Sequence, residues 1–216
     1  MYKKMLQPLF RLSSFPVYDY GFDGWKITDG VIRELRELSY FDQWKACIEN
    51  SWYNVRLEDH SLFVFNDSGE PSYSYIQAPV VAETFRGFLN RQGFDYSQRN
   101  RSEFLDDYEL ELGTAGVRLN VTPFRYDVDG GSYMQGRHPK AHLHIGLDNQ
   151  VRLALRREMT PLSFSLFVMR QAYPDCWSKL MEKSDQICLR KIVRDGLKLV
   201  GEEYWMAHDQ IELHLV

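Results

Sequence analysis

Strict alternation of apolar and polar residues marks the middle of the chain. Tyr53–Leu57 alternates with a period of two, the apolar run Leu62–Phe65 continues as a strand, Tyr73–Ile76 is another, and the turn formers Asn66-Asp67-Ser68-Gly69-Glu70-Pro71 separate the last two. They predict an antiparallel meander that Pro79 ends. Leu110–Leu112 and Val117–Tyr126 carry the strand pattern again. A central hairpin follows: Val128-Asp129-Gly130-Gly131 turns the chain, a loop runs through Gly136, and Ala141–Leu147 forms a strand. Asp148-Asn149 reads as a tight turn and Val151–Leu155 as the return strand. Ile211, Leu213 and Leu215 predict a last strand over Gln210–Val216.

Between these runs the period lengthens. Ile32, Leu35 and Leu38 recur at helical spacing behind Thr28 or Asp29 as cap. Val81–Arg91 reads as a helix closed by Gly93. Thr160-Pro161 is a helix start, and Leu162, Leu166 and Met169 make its apolar stripe. Tyr173-Pro174 breaks that helix, and one or two more cover Trp177–Val200, with Gly196 a weak point. Tyr40–Asn50 fits a helix or a strand, Arg99–Asp107 a helix or a loop, and the residues up to Tyr20 an irregular arm. The order predicts an α+β fold: one domain over residues 1–216, an antiparallel sheet with helices packed on it, a helical region near the C-terminus and a short final strand.

Composition narrows the class. A net charge of -4 creates no global attraction for nucleic acid or anionic membrane. Cys47, Cys176 and Cys188 are too few and too scattered for a disulfide scaffold or a cysteine zinc site. The sequence has no membrane-length apolar run, no signal-peptide core, no phosphate-binding glycine loop and no dinucleotide fingerprint. A cytoplasmic location without membrane contact is the expectation.

Chemistry concentrates between Phe124 and Gly146. Period two puts Arg125 and Asp127 on one face of their strand, and His142 and His144 on one face of theirs. His138 lies just upstream. Arg137, Lys140, Arg152, Arg156 and Arg157 make the neighbourhood basic, which suits a phosphate-bearing substrate. Three readings stay open. In the first, His138, His142 and His144 supply metal-free acid–base catalysis on a phosphodiester. Asp127 orients a histidine, Arg125 holds the phosphate, Lys140 and Arg152 bind substrate, and no cofactor is required. In the second, His142, His144 and Asp127 hold a divalent metal. In the third, the histidines are structural, in a non-catalytic subunit that binds another protein. Gly136, His142, His144 and Asp148 match part of the first cupin motif, but the helical C-terminal third leaves too few strands for that barrel. The spacing also departs from that of the histidine-triad nucleotide hydrolases.

Arg125-Tyr126-Asp127, then His138-Pro139-x-x-His142-x-His144-Ile145-Gly146, then Thr160-Pro161 opening an aromatic helix, resembles a bacterial family known as domain of unknown function 2290. The hairpin alone is similar to small toxins of toxin–antitoxin pairs. That likeness implies an activity on RNA or nucleotides at Arg125, Asp127, His138, His142 and His144, and an antitoxin as partner. Elsewhere bland readings prevail. The acidic run Asp106, Asp107, Glu109 and Glu111 is a solvated face, and Phe63, Phe65, Tyr73 and Tyr75 pack a sheet. The cysteines are inert, and His60, His208 and His214 are isolated. His214 joins the site only if the last strand lies beside the central ones.

Overall fold

The computed structural model of the protein describes residues 1–22, 29–147, 151–211 and 214–215. In chain order it forms α1 (Tyr2–Leu12), β1 (Val17–Asp19), α2 (Asp29–Glu37), α3 (Tyr40–Glu49), β2 (Val55–Leu57), β3 (Leu62–Asn66) and β4 (Ser72–Ile76). There follow β5 (Val80–Val81), α4 (Phe85–Arg91), α5 (Gln98–Gly113), β6 (Gly116–Val117), β7 (Phe124–Val128), β8 (Ala141–Ile145) and β9 (Arg152–Leu155). The C-terminal part holds α6 (Pro161–Ala172), α7 (Pro174–Lys183), α8 (Gln186–Arg190), α9 (Ala207–Ile211) and β10 (His214–Leu215). The fold is α+β, as the alternation predicts.

One open sheet organises it, in the order β1-β2-β3-β4-β7-β8-β9-β10. Neighbours are antiparallel except β10, which runs parallel to β9. β5 and β6 form a separate two-stranded ribbon. An open sheet is incompatible with the cupin barrel, and Asp148 and Asn149 lie outside the described residues.

The two faces of the sheet differ completely. Phe63, Phe65, Tyr73, Tyr75, Phe124, Tyr126 and Leu143 project to one side and are buried against α1 and α6. Phe164 of α6 is fully buried and sets its ring edge-on to Phe63 and Phe65 at 6.3 and 6.5 Å, geometry that aromatic quadrupoles favour. A reciprocal capping box of Thr160 and Ser163, with Pro161 at the first position, starts α6. On the other face, Leu62 joins Trp44, Cys47, Val80 and Leu112, so α3 and α5 cover the β2–β4 end. The β7–β9 end of that face carries the polar residues.

His60 ties this second layer together. It is fully buried, in a left-handed turn at φ 65°. Tyr108 donates its hydroxyl to the Glu83 carbonyl at 2.7 Å, so His60 Nε2–H must donate to that hydroxyl and His60 Nδ1 accepts from Arg56 at 3.0 Å. The His60 carbonyl takes the Trp44 indole N–H at 2.9 Å. Far from isolated, His60 is the hydrogen-bonded hub between β2, α3 and α5.

Several local expectations are corrected. Residues 2–12 form a helix rather than an arm, because Tyr2, Leu6 and Phe10 make a buried stripe at i, i+4, i+8. That burial outweighs the bond lost at Pro8. Val17–Asp19 is a strand. The fourth helix starts at Phe85, capped by Thr84, because Val80 and Val81 pair with β6. Leu110–Leu112 is helical: α5 runs to Gly113 and buries Tyr108 and Leu112, with its acidic residues exposed as expected. Of Val117–Tyr126, only Val117 and residues from Phe124 onward are strand. Gln210 and Ile211 belong to α9, leaving His214–Leu215 as the described part of the last strand.

Phe164→Ala removes the ring shared by β3 and β4 and is expected to cost about 3–5 kcal/mol, read from the denaturation midpoint in urea. A loss below about 1 kcal/mol would contradict the packing described.

Candidate functional site

Strands β7 and β8 gather the predicted residues. Their antiparallel register sets Arg125 opposite His144 and Asp127 opposite His142. Because Phe124, Tyr126 and Leu143 face the aromatic core, alternation turns all four polar side chains to the other side. Neighbouring strands extend two cross-strand rows, Ser74–Arg125–His144–Arg152 and Ser72–Asp127–His142–Ala154–His214. Thus β10 does run beside the central strands, and His214 shares the row of His142. Two strand spacings, roughly 10 Å, separate them.

Asp127 is the anchor. Its Oδ2 accepts from Arg125 Nε at 2.6 Å and lies 3.4 Å from His144 Nε2, while its Oδ1 accepts from Ser72 Oγ at 2.7 Å. Burial alone would raise this carboxyl. The contacts with His144, Arg125 and Ser72 outweigh that and hold it well below the usual carboxylate range.

The histidines form a chain, His138 to His142 to His144, with successive ring centroids 4.8 Å apart. His142 Nδ1 sits 2.8 Å from the Pro139 carbonyl, which can only accept. Nδ1 therefore carries the proton and Nε2 keeps the lone pair. Burial, helped by the neighbouring His144 and His138 and only partly opposed by the Pro139 bond, pushes His142 down to about 4. His142 and His144 are each 2% exposed. The Nδ1 atoms of His138 and His144 are buried with no hydrogen-bond partner among the described residues. The Arg125 and Asp127 side chains, 32% and 20% exposed, are the open end.

Asp127, His142 and His144 each offer one ligand atom, all within 4.8 Å of one another. A tetrahedral ion with bonds of ~2.1 Å separates its ligands by about 3.4 Å. The Asp127–His144 pair already has that spacing, and His142 reaches it by closing about an ångström or so. The Pro139 carbonyl supplies the outer partner that a metal-bound imidazole typically has.

The other predicted residues divide. Arg152 is exposed beside His144. Lys140 is turned to Glu158, 3.6 Å away, with its ammonium 4.3 Å from the Tyr204 ring centre. His138 contacts His142 from the loop. Sequence reasoning missed Ser72, the Pro139 carbonyl and Asp209. Ser72 was findable, since Ser72-Tyr73-Ser74-Tyr75 alternates and must put serine where tyrosine is not. A backbone acceptor and a residue 70 positions downstream leave no such trace.

The neutral histidines set an acid limit on the metal-free chain. His142, lowered to about 4, and His60, lowered to about 3 by burial and Arg56, are neutral when folded but take protons near 6.5 when unfolded. Their stabilisation is complete above about pH 6.5 and is lost as pH falls toward 3–4. For His142 the drop corresponds to roughly 3 kcal/mol. Asp127, depressed, adds a loss at still lower pH. Urea denaturation is expected to show stability falling steeply from pH 6.5 to 4, and less steeply for His142→Asn. Equal slopes would contradict the neutral assignment.

No curated protein and no solved structure matches the chain. The profile of the family described as "Uncharacterized conserved protein (DUF2290)" matches residues 25–203, which include every residue of the cluster. On that match, covering most of its length, the chain belongs to the DUF2290 family.

Proposed function

We propose that this protein is a metal-dependent hydrolase of phosphate esters, with a first-row divalent ion held by Asp127, His142 and His144. The observation that carries the reading is the convergence of these three ligand atoms within 4.8 Å on one sheet face. Two imidazoles and a carboxylate form the nitrogen–oxygen set that zinc, manganese or iron(II) accepts, with positions left for water and substrate. Burial of both rings agrees with a bound ion.

The substrate class follows from charge. Arg125 and the exposed Arg152 flank His144 in one row, and two guanidinium groups suit the oxygens of a phosphodiester. RNA or a nucleotide fits this arrangement. A metal ion there would lower the pKa of its bound water and polarise the phosphoryl group. Arg125 would stabilise charge on the non-bridging oxygens, at the cost of sharing Asp127.

A second reading rests on a different observation. His142 has its tautomer set by Pro139, and His144 is backed by Asp127. That pair can serve as general base and general acid without a metal. Chelator-stripped protein distinguishes the two. Titration calorimetry with zinc or manganese is expected to show one ion per chain, bound far more weakly in His142→Ala and His144→Ala. Cleavage of mixed RNA and of bis(p-nitrophenyl) phosphate should return only with metal, and Arg152→Ala should lower it about ten-fold or more through one lost phosphate contact. Cleavage that survives stripping would favour the acid–base pair. Neither ion binding nor cleavage would refute both readings.

A further inference from the structure

Beyond the sheet, the site depends on a hairpin that the C-terminal segment clamps. Met134 and His138 exchange backbone bonds of 3.0 and 2.8 Å, closing the five-residue turn Met134-Gln135-Gly136-Arg137-His138. Gly136 stands at its tip at φ 66°, where a side chain would be strained. The turn has little apolar anchorage of its own: Met134 is exposed.

Asp209 supplies the anchor. It is 1% exposed, and both carboxylate oxygens are engaged across the gap. Oδ1 accepts from Gly136 N at 2.9 Å, and Oδ2 from Tyr133 Oη at 2.7 Å. Oδ2 also accepts from Met206 N at 2.9 Å, capping α9 and so fixing the carboxylate itself. Tyr133 stacks edge-on with Tyr204 at 5.3 Å, and Trp205 edge-on with His214 at 4.9 Å. The clamp therefore spans the hairpin, α9 and β10. Its C-terminal half, Tyr204 onward, lies beyond the span of the family match, residues 25–203.

The same hairpin delivers both groups that set His142: the His138 ring against its ring, and the Pro139 carbonyl on its Nδ1. We propose that Asp209 is a positioning residue, and that residues 202–211 form a latch that fixes the orientation of His142 at the metal centre by holding the 133–138 hairpin. The inference rests on the metal reading above only for its effect on affinity. The orientation of His142 is a property of the metal-free chain.

Two measurements separate these parts. In metal-free protein with 15N-labelled histidine, the His142 Nδ1–H proton is expected to exchange slowly with solvent. Asp209→Asn should make it exchange rapidly, and Tyr133→Phe, which removes one of the clamp's bonds, should accelerate it less. With cobalt(II), Asp209→Asn is expected to weaken binding by about ten-fold, the scale of a lost outer-shell partner. Combining it with His138→Ala should weaken binding no further than the worse single variant, because both act through His142. A merely structural clamp would give additive losses and an unchanged His142 proton, and either result overturns the proposal. If wild-type protein takes up no cobalt, the metal reading fails and the exchange measurement alone decides the latch. If Asp209→Asn does not fold, unchanged exchange in Tyr133→Phe overturns it.

Discussion

Side chains on a strand must alternate between faces, and that constraint makes this site. Tyr126 and Leu143 lie opposite each other and enter the aromatic core, so Asp127 and His142, one residue along each strand, can only emerge on the reverse side. A slip of one residue in the β7–β8 register would put the carboxylate and imidazoles into hydrocarbon and the aromatic rings outside. The core therefore holds the polar cluster in place. Its size matters for that reason: rings from β3, β4, β7 and α6 resist any change of register.

Within that frame, electrostatics selects the state of each group. The Asp127 carboxylate is kept ionised by Arg125, Ser72 and His144 although burial opposes it. His142 is kept neutral by burial, and its tautomer is chosen by a backbone carbonyl. In the metal reading, the carboxylate and the two imidazoles, with ligand atoms within 4.8 Å of one another, would be a ligand set largely assembled before any ion arrives. Pre-arrangement of this kind reduces the reorganisation that binding would otherwise require. The partly exposed guanidinium of Arg125 would then draw anions to that side of the centre.

The legible part of this architecture was the part written in local periodicity. The meander, the central hairpin, the α6 start at Thr160-Pro161 and the common face of Arg125, Asp127, His142 and His144 all follow from spacings of two or about four residues. The errors arose where a local signal met a tertiary one. Pro8 suggested an arm, yet the Tyr2–Leu6–Phe10 stripe makes a helix by packing on the sheet. Leu110–Leu112 looked extended, but Tyr108 and Leu112 belong to one helical face. His60 seemed isolated because its partners Arg56, Tyr108 and Trp44 come from separate elements. Asp209 was invisible for the same reason, since its role is defined by a loop some 70 residues earlier.

The central claim is that Asp127, His142 and His144 are the inner ligands of one ion. Extended X-ray absorption at the zinc edge of the zinc-loaded protein tests it most directly. The account predicts two imidazole nitrogens and light oxygen ligands at about 2.0–2.1 Å, with one imidazole lost in His144→Ala. A sulfur shell near about 2.3 Å, or an imidazole count unchanged in His144→Ala, would contradict it.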